Sequence, residues 1–327
     1  MLRFTAPARR VAAALGSVLL AGCHTVPAIP ANAPPTSTHS GQQPATPPAT
    51  PPATAPGLTA QQRLATLAAA LGPVPADRTT DLRFTYLHLQ TWNRTSGAIR
   101  REDLRRWRHP DGSGREVTRR APDVRGVAHQ PRAEERDLFR QASPTTTRYR
   151  DELHPYLPAP LPTDPAALAE LLAPPELAAE PAYPRLLAWG VVNLAVSQYL
   201  NLPERTTALH VLAAVPGIAY LGTATDLAGR AGAAFQVVAD TSTVTLIIDP
   251  TSGELLAAQE RITGPRPGLF SYVLILHRGH TDAEGVPPGA STPSTPPSRF
   301  SGRSTSTPRK LSANPGEPAR QVGQRGG

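Results

Sequence analysis

Cysteine is almost missing from this 327-residue chain: Cys23 is its single thiol. Without a second one there is no intrachain disulfide, no CxxC redox pair and no thiolate metal cluster. A folded body must then hold together by burial, for which the chain is long enough. Lysine is as scarce, Lys310 standing alone among 33 basic residues. Arginine in its place reflects in part the codon usage of a GC-rich genome. Also absent are a GxSxG elbow, HExxH, a phosphate-binding P-loop and a GxGxxG behind a strand. The motif-borne cases for a hydrolase, a zinc protease, a nucleotidase or a dinucleotide enzyme go with them. The sequence names no cofactor, no metal and no catalytic residue; a site assembled from scattered residues is the one enzymatic route left open.

What is present first is the setting of Cys23. Arg3, Arg9 and Arg10 precede the apolar run "VAAALGSVLLAG", residues 11–22. That run is too short to span a bilayer, which takes about 20 apolar residues. Its length, charged flank and small-residue end are those of a signal peptide, expected over 1–22. Leu20-Ala21-Gly22-Cys23 matches the bacterial lipobox, in which the thiol is diacylglycerated and the chain cut before it. A buried core cysteine is the bland alternative, but position, flanks and uniqueness all favour lipidation. Acyl chains on Cys23 then place the protein on the outer face of the cytoplasmic membrane.

Residues 23–57 read as a tether. "PATPPATPPATAP" (44–56) repeats Pro, Ala and Thr in a stretch with no charged residue, a composition that favours an extended, semi-stiff spacer. Residues 291–327 are rich in Pro, Gly and Ser and net basic, and read as a disordered tail. The formal charge of +8 lies in the signal peptide and this tail, leaving 58–290 neutral. Inside that body the charge is polarised, with twelve arginines against seven acids over 94–136. A basic stripe invites nucleic acid, but an extracytoplasmic tether argues against it. A solvated hairpin surface is the plain reading, and contact with anionic headgroups or wall polymers the functional one.

The body, 58–290, is expected to be a single α+β domain. "TAQQRLATLAAALG" (59–72) has Thr59 and Gln62 in capping-box spacing and closes on Gly72, predicting a helix. "DLRFTYLHLQTW" (81–92) alternates as a strand does. Residues 98–120 read as two strands around Asp111-Gly112-Ser113-Gly114, and 121–147 as a poorly patterned excursion or mobile loop. Asp164 and Pro165 start a helix with Leu168, Leu171 and Leu172 on one face. Residues 184–202 form a longer apolar helix. A third begins at Pro203 and stops at Pro216-Gly217, its lone His210 expected to be packed or at the surface. Strands then flank a turn at Asp226–Arg230 and a hairpin at Asp249–Glu254, and "LFSYVLILHR" (269–278) is the last. The arrangement that satisfies this order is a curved antiparallel sheet, half-barrel-like, with helices covering its concave face.

The ordered series Trp107…"DGSGR", "LPTDPAAL", "PGI…TDLAGRAGAAF" and "IIDPTSGELLA" resembles an uncharacterised actinobacterial envelope family, over about residues 80–280. Its members usually carry this body as an ectodomain behind one transmembrane helix, often near a sigma-factor gene. Here a lipobox and tether replace that helix. The family ends shortly after "SYVLIL", whereas this chain continues. More weakly, the element order is similar to half-barrel lipoprotein carriers and envelope-stress sensors, which implies an apolar cavity plugged by helices. The resemblance brings no catalytic residue with it.

Two non-enzymatic readings follow. A carrier or sensor would take an apolar envelope molecule against Phe84, Tyr86, Trp189, Tyr199, Leu246 and Phe270, residues that otherwise simply fill the core. An interaction module would instead meet an envelope protein through the arginine-rich hairpin 98–120. A water-excluding cavity of several hundred Å³ separates the first from the second. His277, His280 and Asp282 have a spacing a metal could use, but stand where the pattern fades. Asp111, Asp226 and Asp249 sit in turns, where aspartate bonds its own backbone, and the Asn93-Arg94-Thr95 sequon reads as chance.

Overall fold

The computed structural model describes residues 57–289. The signal peptide, the lipobox Leu20, Ala21, Gly22 and Cys23, the tether up to residue 56 and the tail 291–327 lie outside the described residues.

Nine antiparallel strands form one open sheet, in the order β4-β3-β2-β1-β9-β8-β7-β6-β5. The first meander comprises β1 (Phe84–Arg94), β2 (Ala98–Arg108), β3 (Gly114–Arg125) and β4 (Pro144–Tyr149). The second comprises β5 (Ala219–Thr225), β6 (Ala231–Ala239), β7 (Ser242–Ile248), β8 (Leu255–Ile262) and β9 (Gly268–Thr281). Pairing of β1 with β9 joins them. The four α-helices that bear on the core are α1 (Ala60–Ala70) ahead of β1, and α3 (Pro165–Leu172), α4 (Tyr183–Ser197) and α5 (Leu202–Ala213) between the meanders; α2 (Arg136–Gln141) lies between β3 and β4. The α+β class and the helical insert between two β-rich segments are therefore present.

Local chemistry sets the element ends. Thr59 and Gln62 cap α1 reciprocally, Gln62 N–H donating to Thr59 Oγ1 (3.2 Å) and Thr59 N–H to Gln62 Oε1 (2.9 Å). Asp164 accepts from Ala167 N–H (3.0 Å) at the start of α3. The third long helix starts earlier than Pro203 because Asn201 and Glu204 form a second capping box. Between β2 and β3, Gly114 has φ +152°, and a Cβ there would stand 2.1 Å from Trp107 O. Only glycine allows that approach.

Each face of the sheet is covered in part. On one, termed the helix face, Leu89, Phe235, Val237, Val244, Leu246, Ile248, Leu255, Ala258, Val273 and Ile275 pack with α1, α3, α4 and α5. On the other, the outer face, Trp92, Ile99, Ala121, Ile247, Leu256, Tyr272 and Leu274 pack with Phe139 of α2. The expected mobile excursion at 121–147 is thus corrected. Strand β3 runs on to Arg125, and the following segment folds back so that Phe139, fully buried, meets the Trp92 ring edge-on at 5.5 Å. Burying a phenyl ring contributes about 1.5–3 kcal/mol, enough to hold a polar connection that lacks helical or strand periodicity. The same segment supplies Glu135, which accepts from Trp92 Nε1 (3.0 Å) and Arg101 Nη1 (2.8 Å).

Three smaller expectations also change. Leu171 is 53% exposed while Leu168 and Leu172 are buried, because α3 is one short amphipathic turn set. The apolar run at 184–202 stays helical only to Ser197. His277 and His280 both belong to β9, which extends to Thr281 instead of fading. Their cross-strand partners are His88 and Thr85, three residues apart on β1, so they fall on opposite faces and cannot share a metal.

Candidate functional site

The helix layer is packed tightly against β6–β9. The void between α4, α5 and the β7–β8 hairpin, bordered by Val191, Leu209, Ile248 and Leu255, measures about 20 Å³. That is space for about one water. The cavity of several hundred Å³ expected under the helices is not what fills this layer.

A groove of about 400 Å³ lies beside it, between α4 and the helix face of β1 and β9. Its volume falls within the roughly 300–1,000 Å³ range of small-molecule sites, and it is open to solvent along its length. One wall is a stripe of α4: Trp189, Val192, Asn193 and Val196 recur at the three- and four-residue spacing that puts side chains on one helix face. The floor is Leu89, Thr91 and Asn93 of β1 with Ser271 and Val273 of β9. Phe270 forms a lip, 42% exposed.

The position of Phe270 comes from a bulge. Glu260 of β8 pairs with Ser271 but Arg261 pairs with Leu269, so Phe270 is the extra residue on β9. Bulges of this kind re-aim a side chain, and this one leaves a phenyl ring exposed at the groove that Trp189 also lines, instead of in either core. Polar groups cluster at the same end. Ser271 Oγ donates to Asn93 Oδ1 (2.8 Å). Arg94 Nη1 donates to Arg266 O (3.1 Å). Next to Ser271, fully buried Glu260 accepts from Arg185 Nη1 through Oε1 (3.1 Å), one helical turn before Trp189. Glu260 Oε2 has no partner among the described residues. The groove is therefore mostly apolar along α4, where Asn193 is the polar member of the lining, and hydrogen-bonding at its Asn93 end.

The six residues expected to line one apolar cavity separate in the structure. Trp189 and Phe270 both line the groove. Leu246 is fully buried in the helix–sheet core. Tyr86 is on the outer face, its ring 5.1 Å from that of Trp107. Tyr199 is buried with its hydroxyl donating to Asp77 Oδ1 (2.7 Å), and that bond together with burial pushes its pKa up. Phe84 sits at the end of β1 against His109. Two causes separate them: strand parity sends Tyr86 to the outer face and Leu246 to the helix face, and Tyr199 follows the end of α4. The sequence did not mark Asn93, Asn193, Ser271 or Arg94 as groove residues, since only the helix–sheet docking brings α4 over β1.

A second polar cluster stands on the outer face. His88 Nε2 lies 2.9 Å from Asp103 Oδ2, which also accepts from Gln90 Nε2 (2.8 Å). Burial raises the Asp103 pKa, but the His88 and Gln90 bonds outweigh it and hold the carboxyl below its usual range. The period-two pattern of "HLQTW" already put His88, Gln90 and Trp92 on one face. Among the described residues no nucleophile is hydrogen-bonded to this dyad, and its bonds close a central strand that is buried on both sides.

No family model matches the chain, and no curated protein matches it.

Proposed function

We propose that this chain is a lipidated, extracytoplasmic envelope protein whose body is a non-enzymatic binding module, taking an amphiphile along the α4 groove. The observation that carries this reading is a groove of about 400 Å³ that Trp189 and the bulge residue Phe270 both line. A polar end built from Asn93 and Ser271 continues it. An acyl chain laid along Trp189, Val192 and Val196 would leave its head at that end. Burying apolar chain area returns about 25 cal/mol per Å², and the amide and hydroxyl groups orient the head. Anchoring at Cys23 on the outer face of the cytoplasmic membrane supplies such molecules locally. The finer description of the sheet, a half-barrel curve with the helices on its concave side, is part of the same proposal.

A second reading, an interaction module for an envelope protein, draws on the filled interior beneath the helices. It is favoured where a partner, instead of a lipid, covers Phe270.

Titration with a medium-chain monoacylglycerol, followed by Trp fluorescence, separates the two. Trp92 and Trp107 are buried, so Trp189 is the tryptophan that an occupant of the groove meets. A saturable change is expected in the wild type. Phe270→Ala is expected to weaken it about tenfold, the effect of losing about 1.4 kcal/mol of contact. Equal response of wild type and Phe270→Ala contradicts the groove as the site.

A further inference from the structure

The outer face of β2 and β3 carries three arginines whose Nε groups the described residues leave without a hydrogen-bond acceptor. Arg105 is opposite Val117, with Arg115 opposite Trp107 and Arg119 opposite Asp103. Arg115 and Arg119 are thus both diagonal neighbours of Arg105, about 7–8 Å away in an antiparallel pair. Long side chains reach one another across that distance. The Nε of each of the three is hidden from water and has no hydrogen-bond acceptor among the described residues.

The carboxylates nearby are engaged elsewhere. Asp103 accepts from His88 and Gln90, leaving Oδ1 3.9 Å from Arg105 Nε. Glu284 faces Arg148 at 3.1 Å. Glu116, on the opposite face of β3, pairs with Arg106 at 2.6 Å. Arg115 lies over the Trp107 ring, 5.9 Å from its centroid, which holds the guanidinium in place without neutralising it. Arg105 also bears on His277, the cross-strand partner of His88 on the same face. Partial burial, and then the charges of His88, Arg230 and Arg105, hold its pKa below the usual imidazole value.

An N–H hidden from water without an acceptor is costly, and more so on a charged group. Three together on one face would be relieved by an acceptor that the described residues do not provide. We propose that the outer face at Arg105, Arg115 and Arg119 binds a phosphate group. The guanidinium fork matches two phosphate oxygens, and diagonal placement lets three forks address one tetrahedral oxyanion. This site is on the opposite face of the sheet from the α4 groove and stands or falls independently of it. The phosphate comes either from a lipid headgroup or from a free phosphate or phosphate ester.

Two arms on the full chain test this at low salt. One is calorimetric titration with inorganic phosphate. The other is flotation with phosphatidylcholine vesicles, with and without phosphatidylglycerol; the N-terminal anchor contributes equally to both vesicles. Arg119→Gln is expected to weaken binding about tenfold, as for loss of one charge-assisted contact. The triple variant R105Q/R115Q/R119Q is expected to abolish it, and added salt to weaken the wild type. Arg120→Gln, on the opposite face of β3, is the control expected to bind as wild type. Melting temperatures report folding; should the triple variant melt early, Arg119→Gln alone decides. Binding in both arms assigns a free phosphate or phosphate ester, and binding only to phosphatidylglycerol vesicles a headgroup. Wild type and Arg119→Gln indistinguishable in both arms would overturn the proposal.

Discussion

Arg205→Met is expected to cost about 3–5 kcal/mol of folding stability, the range for breaking one side of a buried ion pair. Arg205 is 2% exposed. Its Nη1 and Nη2 donate to Asp77 Oδ1 (3.0 Å) and Oδ2 (2.9 Å), its Nε to Ser252 O (2.9 Å), and its Nη1 also to Leu200 O (2.7 Å). One side chain thereby ties the segment before β1, the end of α4 and the β7–β8 hairpin to α5. Methionine fills much of the volume but leaves the Asp77 carboxylate without its cation and two carbonyls without their donor. The same network sets an acid limit. Burial raises the Asp77 pKa, but bonds from Arg205, Tyr199 and Val74 N–H reverse this and bring it to about 2, below the ordinary 3.8. A folded-state pKa below the unfolded one gives stability that is complete above the unfolded value and lost as pH falls toward 2. Urea unfolding of both proteins at neutral pH and near pH 3 checks both statements. A loss below about 1 kcal/mol, at the level of an exposed pair, would contradict the structural role.

Cys23→Ala is expected to abolish membrane retention. Each buried methylene of an acyl chain contributes about 0.8 kcal/mol, and two chains together give stable anchoring where one gives only marginal binding. The described residues contain no helix long and apolar enough to cross a membrane, so the body offers no helical span as a substitute. Fractionation should move the variant from the membrane to the soluble or unprocessed pool, and the label from a radioactive fatty acid that the wild-type band carries should be absent from the variant. A variant that fractionates and migrates as wild type would remove the lipobox reading.

Much of the local structure was readable from residues. Thr59 with Gln62, Asp164 with Pro165, and Gly112 with Gly114 each mark an element end through chemistry confined to a few neighbours. The β7–β8 hairpin was likewise marked by strict alternation at Val244, Leu246 and Ile248 around a turn-forming run. The covering of the outer face was not readable, because Phe139 sits in a polar stretch without periodicity and gains its meaning only from Trp92, far away in sequence. The site was half readable. Trp189 and Phe270 were identified as candidates, but the bulge that releases Phe270 depends on the register between β8 and β9. Tyr86, Tyr199, Leu246 and Phe84 share apolar character with those two and nothing of their location. Burial under a helix and exposure in a groove leave the same mark on a sequence.

The groove is the centre of this account, and native mass spectrometry tests it most directly. The Cys23→Ala protein would be purified from a high-GC host without detergent, weighed intact, and extracted with solvent. The account predicts a discrete adduct that extracts as a lipid and is lost from the Phe270→Ala variant. A clean apo mass, with no adduct after incubation with envelope lipids, would contradict amphiphile binding and shift the function to a protein partner.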